Sequence, residues 1–231
     1  MKSYFLIAVF FICRSFAFAQ GNAPLIPVPL IAPAQPLFLR DYFTTPVKIG
    51  EGSGIGGSPF IFDDWLLANI RFMDDKKVDS IRIKINTYQN KVHYRDENGE
   101  ELQAIGKFKE IKIIDNSSSW NGTVFFSGFE KEKNAFFQMM ADGKKVMLLK
   151  KVKVIVWETK AMFEEAKKEF QKENEFYFYV KYELIRQNKS CSQLTDAFKN
   201  EAGLLDFIST NDLKCNKEDD MKRIVDFINS K

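Results

Sequence analysis

Few side chains in this chain of 231 residues are suited to catalysis or metal binding. His93 is the single histidine, so a Ser-His-Asp or Cys-His site would have to use it. It lies in the run Val92-His-Tyr-Arg beside an expected hairpin turn, a place typical of a strand or surface histidine. One histidine and widely separated cysteines cannot supply the usual ligands of a zinc site. The sequence therefore predicts no catalytic, metal-binding or cofactor-binding residue.

Carboxylates could still act without a histidine, because glycoside hydrolysis needs only two acids at a set separation. Asp63 and Asp64 stand beside Trp65, whose ring could stack on a sugar. If this segment is a strand, adjacent residues point to opposite faces and the two acids cannot converge. Packing in the core is the simpler role for Trp65. An all-oxygen calcium site at Asp63-Asp64 or Asp74-Asp75 would lack the alternating acidic loop of a calcium hand.

A second group is cationic. Five lysines crowd one predicted hairpin arm: Lys144, Lys145, Lys150, Lys151 and Lys153. They could meet an anionic surface such as lipopolysaccharide or a phospholipid head group. The alternative, which we favour, is a solvated face or a lysine-guarded sheet edge that discourages aggregation.

The elements that must position these residues begin with an export signal. Lys2 is followed by an apolar run from Tyr4 to Ile12, and Ala17-Phe-Ala19 is a small-x-small cleavage site. Residues 1–19 are thus predicted to be a signal peptide, cut between Ala19 and Gln20. The chain is predicted to be exported, either periplasmic or secreted. No later stretch has the roughly 20 apolar residues of a membrane-spanning helix.

The charge balance argues against nucleic acid as a partner. Lys2 and Arg14 leave with the signal peptide, so 34 basic and 31 acidic residues become 32 and 31. Such a nearly neutral chain has no general attraction for a polyanion. Phenylalanine is common, with 23 residues in all, which predicts a large aromatic core or an apolar pocket.

Residues 20–58 are predicted to form an N-terminal arm rich in proline and glycine. Residues 59–187 are predicted to form an antiparallel β-domain, because apolar residues alternate with polar ones. The alternating sets are Ile81, Ile83 and Ile85; Ile111 and Ile113; Val152, Val154 and Val156; and Phe176, Phe178, Val180, Tyr182 and Leu184. Asn98-Gly99, Asn121-Gly122, Asp142-Gly143 and Asp74 to Lys77 mark turns between such runs. The prediction is a meander of about eight to ten strands, curved or barrel-like.

Two helical parts complete the predicted α+β fold. Residues 160–175 carry Met162, Phe163, Ala166 and Phe170 at helical spacing, which predicts one inserted helix. Residues 188–231 are predicted to form a small C-terminal helical subdomain, with Asn216 capping its last helix. Cys191 and Cys215 flank this unit, and an even pair in an exported protein predicts a disulfide. Two buried free thiols are the alternative.

The chain also resembles a group of uncharacterised secreted β-rich proteins of Gram-negative bacteria. The resemblance is carried by Gly57-Ser-Pro-Phe-Ile-Phe-Asp-Asp-Trp65, the strand ending at Asn86, Phe136-Phe137 to Asp142-Gly143, Leu148-Leu149, and the closing stretches 205–211 and 219–229. It implies an exported β-rich protein and transfers no catalytic residue.

Two functions follow as expectations. The first is a non-catalytic binding or structural protein of the cell envelope, whose sharpest form is a cup for an apolar ligand. The alternative is a carboxylate-dependent, glycosidase-like hydrolase acting on envelope or extracellular polymers.

Overall fold

The computed structural model describes residues 45–46, 54–96, 98–160, 166–188 and 190–231, all within one compact unit. The predicted signal peptide, residues 1–19, and its cleavage site between Ala19 and Gln20 lie outside these residues. So does most of the predicted arm 20–58. Those predictions stay untested by the structure.

Strands make up 44% of the described residues and helices 15%, which confirms the mainly β fold. The described strands are β1 (Thr45–Pro46), β2 (Ile55–Gly56), β3 (Leu66–Phe72), β4 (Lys77–Asn86), β5 (Lys91–Arg95), β6 (Glu101–Gln103), β7 (Phe108–Ile113), β8 (Val124–Phe126), β9 (Phe137–Ala141), β10 (Met147–Thr159), β11 (Lys167–Val180) and β12 (Glu183–Arg186). The described helices are α1 (Ser192–Ala197), α2 (Leu204–Thr210) and α3 (Glu218–Ser230).

All the described strands join one sheet in the order β1-β6-β5-β4-β3-β7-β8-β9-β10-β11-β12, and β2 pairs with β11. The β2–β11 pair is parallel and the others are antiparallel, so the sheet is mixed. It is not closed. Two meanders, β3 to β6 and β7 to β12, meet where β7 pairs with β3. The predicted antiparallel meander is thus confirmed in its curved, open form.

The connection from β6 to β7 shows that the first meander curls. Only residues 104–107 join these strands, although β5, β4 and β3 lie between them in the sheet. A flat sheet would separate β6 from β7 by about 19 Å, at about 4.8 Å per strand. Five extended residue steps reach only about 17 Å. The sheet from β3 to β8 must therefore bend, and we call residues 66–126 the curled region.

Irregularities on both sides of β3 account for this bend. Between β3 and β4 the register shifts after Ala68, and Ser80 takes a positive φ of 59°. The Ser80 amide donates a hydrogen bond of 3.0 Å to Oδ1 of Asn69, which fixes the irregularity. A second shift separates Arg71 from Phe72 opposite β7. Bulges of this kind bend a strand and increase its twist.

Apolar side chains on one face of these strands pack into a single core. Its fully enclosed members include Ile83, Ile85, Val92, Ile111, Ile113 and Phe125. The aromatic residues Phe62, Phe72, Phe108 and Phe136 belong to the same cluster. Many of the phenylalanines that could have lined an apolar cup therefore fill the interior instead.

From β9 onward the sheet is covered by the three helices, and we call residues 137–230 the helix-covered region. Sheet residues such as Leu148 and Phe178 share a core with Leu194, Ile224 and Ile228 of the helices. Cys191 and Cys215 form a disulfide with Cα atoms 5.2 Å apart, which confirms that prediction over the free-thiol alternative. On the other face, a smaller cluster contains Phe137, Leu149 and Tyr177.

The predicted helix at residues 160–175 is wrong from residue 167 onward, and residues 161–165, with Met162 and Phe163, lie outside the described residues. Lys167–Val180 is strand β11, and it pairs with β10 in unbroken register from Thr159↔Lys167 to Met147↔Tyr179. Lysine, glutamate and glutamine favour a helix locally, but β10 offers the β-branched run Val152 to Val156 as a partner. Phe170 pairs with Val156 and is buried. Pairing along the whole hairpin outweighs the local helix preference.

Two smaller boundaries also differ from prediction. The alternating run from Phe176 to Leu184 is interrupted by a turn at Lys181 and Tyr182, which separates β11 from β12. The N-cap of α3 is Lys217 rather than Asn216, although Glu218, Asp219 and Asp220 occupy the first turn as expected for a helix dipole.

Candidate functional site

A cavity of about 600 Å³ opens at one end of the curled region. Five chain segments build it: the turn after β3, the turn between β4 and β5, the β6–β7 connection, the segment after β8 and the segment before β9. Together they contribute Met73, Gln89, Asn90, Lys91, Ala104, Ile105, Gly106, Lys107, Phe108, Ser127, Gly128, Lys133, Asn134 and Phe136. We call this cavity the mouth pocket. Its volume lies within the range typical of small-molecule sites.

The floor of the mouth pocket is aromatic and its rim is aliphatic. Phe108 and Phe136 are buried, with ring centroids 5.7 Å apart, and continue into the core of the curled region. Met73 and Ile105 stand at the rim and are 48% and 52% exposed. Large apolar side chains held half in water beside a cavity offer surface that a ligand could cover.

Three lysines surround this apolar surface, and no carboxylate lines it. Lys91, Lys107 and Lys133 contribute to the pocket wall. Among the described residues, none of the three forms an ion pair. The remaining polar lining groups are the amides Gln89, Asn90 and Asn134 and the hydroxyl of Ser127. The pocket thus combines apolar surface with uncompensated positive charge.

Backbone contacts hold the rim in place. The amide of Met73 donates a hydrogen bond of 2.9 Å to the carbonyl of Lys107, which ties the turn after β3 to the β6–β7 connection. Gly128 has a positive φ of 87°, and a Cβ at this position would lie 3.0 Å from Sδ of Met73. Glycine is therefore required both by the backbone conformation and by the close approach of Met73.

His93 is a strand residue, but it is not on the surface. It lies on the face of β5 opposite Val92 and Tyr94, which point into the core, and it is only 3% exposed. Its Nδ1 lies 2.7 Å from Oε1 of Glu101, and Phe60 packs edge-on against its ring. No serine or cysteine of the described residues forms a hydrogen bond with its ring. The geometry is that of a buried strand histidine rather than a catalytic base.

Trp65 does not pack in the core. Its ring contacts two cations on the outer face of the curled region, with its centroid 5.2 Å from Nζ of Lys84 and 4.7 Å from the guanidinium carbon of Arg95. Such cation–π contacts hold an aromatic ring against a polar sheet face. The expected core role of Trp65 was wrong because its ring contacts Lys84, which alternates with the core residues Ile83 and Ile85 and so lies on the outer face of β4.

Asp63 and Asp64 lie in the loop that precedes β3, so the argument that adjacent strand residues diverge does not apply to them. Both line a groove that also contains Trp65, Asp115 and Trp120. Asp115 accepts hydrogen bonds from the hydroxyl of Ser117 at 2.6 Å and from the amide of Leu67 at 3.3 Å. These bonds hold the pKa of Asp115 below its usual value, so this acid stays ionised.

Asp74 and Asp75 each form an ion pair with a lysine. Asp74 lies 3.5 Å from Nζ of Lys76, and Asp75 lies 2.7 Å from Nζ of Lys109. The hydrogen bond from Lys109 and its charge lower the pKa of Asp75. Across the described ranges, no group of three or more histidine, cysteine, aspartate or glutamate side chains could hold a metal ion.

The five lysines predicted to form one cluster have different surroundings in the fold. Lys150 pairs with Glu218, Lys151 with Glu132, and Lys145 with Glu201. Lys153 is exposed on the stretch of β10 that pairs with β11 alone, which fits a lysine-guarded sheet edge. Lys144 lies in the turn after β9 and lines a groove that also contains Tyr182 and Phe198.

Comparison with protein-family models, curated proteins and solved structures finds no match for this chain. Among the described helices, none is long and apolar enough to cross a membrane.

Sequence reasoning missed the mouth pocket. Its residues are spread from Met73 to Phe136 and follow no spacing that a single strand or helix would give. One signal was available: Ile105 is a large apolar residue in the short connection Ala104 to Lys107, where no strand or helix is expected to bury it.

Proposed function

We propose that the protein is a non-catalytic binding protein whose mouth pocket takes a small apolar molecule carrying an acidic group. The observation that carries this proposal is the placement of Lys91, Lys107 and Lys133 around an apolar surface with no lining carboxylate. An apolar tail would cover Met73 and Ile105, and the acidic group would meet the lysines.

The proposed binding site is the mouth pocket and not an apolar cup inside the β-domain, as the phenylalanine content had suggested. The interior of the curled region is filled by its own side chains, of which Phe125, Ile111 and Ile113 are wholly buried. A ligand could not enter without displacing them, since protein interiors are close-packed. The mouth pocket instead offers surface that is already open to solvent. We further propose, from the export signal and the resemblance, that binding takes place in the cell envelope.

The test compares two probes, dodecanoate and dodecanol, which have the same alkyl chain length and differ in the head group. Isothermal titration of the purified protein should show binding of dodecanoate about tenfold tighter, because a hydrogen-bonded charge pair contributes about 1.5 kcal/mol or more. The triple variant K91Q/K107Q/K133Q should lose that difference and keep its affinity for dodecanol. Ile105→Ser should weaken both probes by a similar factor.

A matched control is K112Q/K214Q/K217Q, which removes the same charge from three exposed lysines that do not line the mouth pocket. It should bind both probes as the unmodified protein does. If neither probe binds, or if both triple variants weaken dodecanoate equally, the mouth pocket is not the binding site.

A second candidate is the carboxylate-dependent hydrolase. It is favoured by one observation, the groove in which Asp63, Asp64 and Asp115 lie with Trp65 and Trp120. Against it, a glycosidase requires one carboxyl whose pKa is raised so that it can donate a proton. The pKa of Asp115 is shifted in the opposite direction.

Release of reducing sugar from cell-envelope polysaccharide would test this candidate. If it is correct, Asp63→Asn or Asp64→Asn abolishes release, whereas K91Q/K107Q/K133Q leaves it unchanged. Absence of release by the unmodified protein removes the hydrolase from consideration.

A further inference from the structure

A second cavity, of about 700 Å³, lies in the helix-covered region and shares no residue with the mouth pocket. It is bounded by the turn between β9 and β10, the turn between β11 and β12, and the segment that follows α1. Its prominent side chains are Lys144, Lys145, Lys181, Tyr182, Phe198 and Lys199. We call it the lysine groove.

The lysine groove carries excess positive charge. Lys145 is held by Glu201, with Nζ 3.1 Å and 3.2 Å from the two carboxylate oxygens. Lys144, Lys181 and Lys199 are exposed, and the described residues provide no ion-pair partner for any of them. Asp196 is the one other acid in the lining. Three cations are thus free to meet an anionic partner.

The lip of the groove is a strained turn. Lys181 and Tyr182 both have positive φ, 49° and 69°, in a two-residue hairpin turn where asparagine and glycine are usual. Tyr182 is 92% exposed, the largest value among the exposed large apolar residues described. Backbone strain of this kind persists only where the surrounding structure fixes the conformation, and it is concentrated at functional sites.

We propose that the lysine groove and its Tyr182 lip bind the anionic head groups of a phospholipid membrane surface. The lysines supply the charge complementary to phosphate, and each long side chain can reach a head group. Tyrosine is enriched at membrane interfaces because its ring suits the apolar side of the head-group layer and its hydroxyl the wet side. An exposed tyrosine at the tip of a hairpin flanked by lysines fits that layer better than it fits an acidic peptide, which needs no exposed ring. This contact is independent of ligand binding in the mouth pocket.

The experiment is co-sedimentation of the purified protein with vesicles of phosphatidylcholine alone or mixed with phosphatidylglycerol. Binding should require phosphatidylglycerol and should weaken as the salt concentration rises. Neutralising one lysine should weaken binding about fivefold, so K144Q/K181Q/K199Q should lose about a hundredfold. Tyr182→Ser should weaken binding without changing its salt dependence, because it removes no charge.

The control K112Q/K214Q/K217Q has the same net charge as the groove variant and should bind vesicles like the unmodified protein. All substituted side chains except Tyr182 are exposed lysines, so thermal unfolding should be unchanged and can confirm intact folding. Equal losses in the two triple variants would show a general charge effect and overturn the proposal. So would equal binding to both kinds of vesicle, or binding to polyglutamate that K144Q/K181Q/K199Q abolishes while vesicle binding persists.

Discussion

The curled region and the helix-covered region enclose their cores by different means. In the curled region, strands β3 to β8 bend around their own apolar side chains, and bulges beside β3 provide the bend. In the helix-covered region, strands β9 to β12 are covered by three helices of 6, 7 and 13 residues. Helices this short are marginal by themselves in water. They need attachments that the strands of the curled region do not.

Two such attachments are visible. The Cys191–Cys215 disulfide ties the start of α1 to the segment before α3. Asn229, near the end of α3, bonds to the backbone of Lys145 and Val146 in the connection between β9 and β10. None of the three helices has a side-chain hydrogen bond at its N-cap. We therefore expect stability in this region to depend on a few discrete links, and in the curled region on continuous packing.

The largest expected effect is in the curled core. Phe125 is completely buried, and its ring packs against Phe62 and Trp120. Phe125→Ala should lower the free energy of unfolding by about 4–5 kcal/mol, at the upper end for such truncations, because strands paired on both sides cannot close the cavity. Phe178→Ala, at an equally buried site beneath the helices, should cost about 3 kcal/mol because α3 can shift toward it. Urea denaturation measures both; equal losses would contradict the proposed difference in rigidity.

The disulfide should have the next largest effect. Its sequence separation is 24 residues, and closing a loop of this length stabilises by about 3.5 kcal/mol in the chain-entropy model. The variant C191S/C215S should lose about that amount. Hydrogen exchange should show the loss in α1, α2 and α3, while β3 to β7 keep their protection. Loss of protection throughout the chain would show that the two regions unfold as one.

Asn229 should have a smaller effect, confined to the helix-covered region. Its Nδ2 donates to the carbonyls of Val146 and Val225, at 2.9 Å and 3.0 Å, and its Oδ1 accepts from the amides of Lys145 and Val146, at 3.0 Å and 3.2 Å. Asn229→Ala should cost about 1–3 kcal/mol, because it leaves buried backbone groups without partners. Denaturant unfolding measures this loss.

Gly143 provides a check on that interpretation. A Cβ at position 143 would overlap the amide group of Asn229. Gly143→Ala should therefore displace Asn229 and cost a similar amount by itself. The double variant should be barely worse than either single variant, because both remove the same link. Additive losses would show that Gly143 and Asn229 act separately.

Sequence patterns predicted the curled region better than the helix-covered region, for a physical reason. The alternation of Ile81, Ile83 and Ile85 records burial on one side of a sheet, and the Asn-Gly turns at 98–99 and 121–122 lie between the expected strands. In both cases the local signal and the tertiary structure agree. Export, cleavage at Ala19 and the resemblance stay predictions.

The errors arise where distant pairing decides. Residues 167–175 have helix-favouring side chains, and only the partner strand β10 makes them a strand. The Lys181-Tyr182 turn contains no glycine or asparagine to mark it. The mouth pocket is assembled from five separate segments, so no single stretch of sequence could reveal it. The disulfide was predictable because Cys13 falls within the predicted signal peptide, which leaves Cys191 and Cys215 as the one possible pair.

The smallest expected effect concerns Glu218 in the first turn of α3. Burial raises its pKa, but the hydrogen bond from Lys222 and the charge of Lys150 act against burial and leave the pKa lowered. A lowered folded-state pKa means that the folded protein binds this proton less readily than the unfolded chain does. The stabilisation is therefore present above the ordinary pKa of glutamate and is lost as the pH falls through the folded value. For partly exposed ion pairs it amounts to about 1 kcal/mol or less.

Unfolding of Glu218→Gln should accordingly match that of the unmodified protein in strong acid and fall slightly below it at neutral pH. Asp226→Asn removes a charge from the same helix at an exposed position and should show no such divergence. Hydrogen exchange as the pH is lowered would locate the effect, because Lys150 lies in β10 and Lys222 in α3. Loss of protection in α3 before β3 to β7 would mean that ionic contacts, like the disulfide, hold the helices to the sheet one link at a time. Simultaneous loss would mean that packing in the shared core, rather than these links, determines how the helices stay attached.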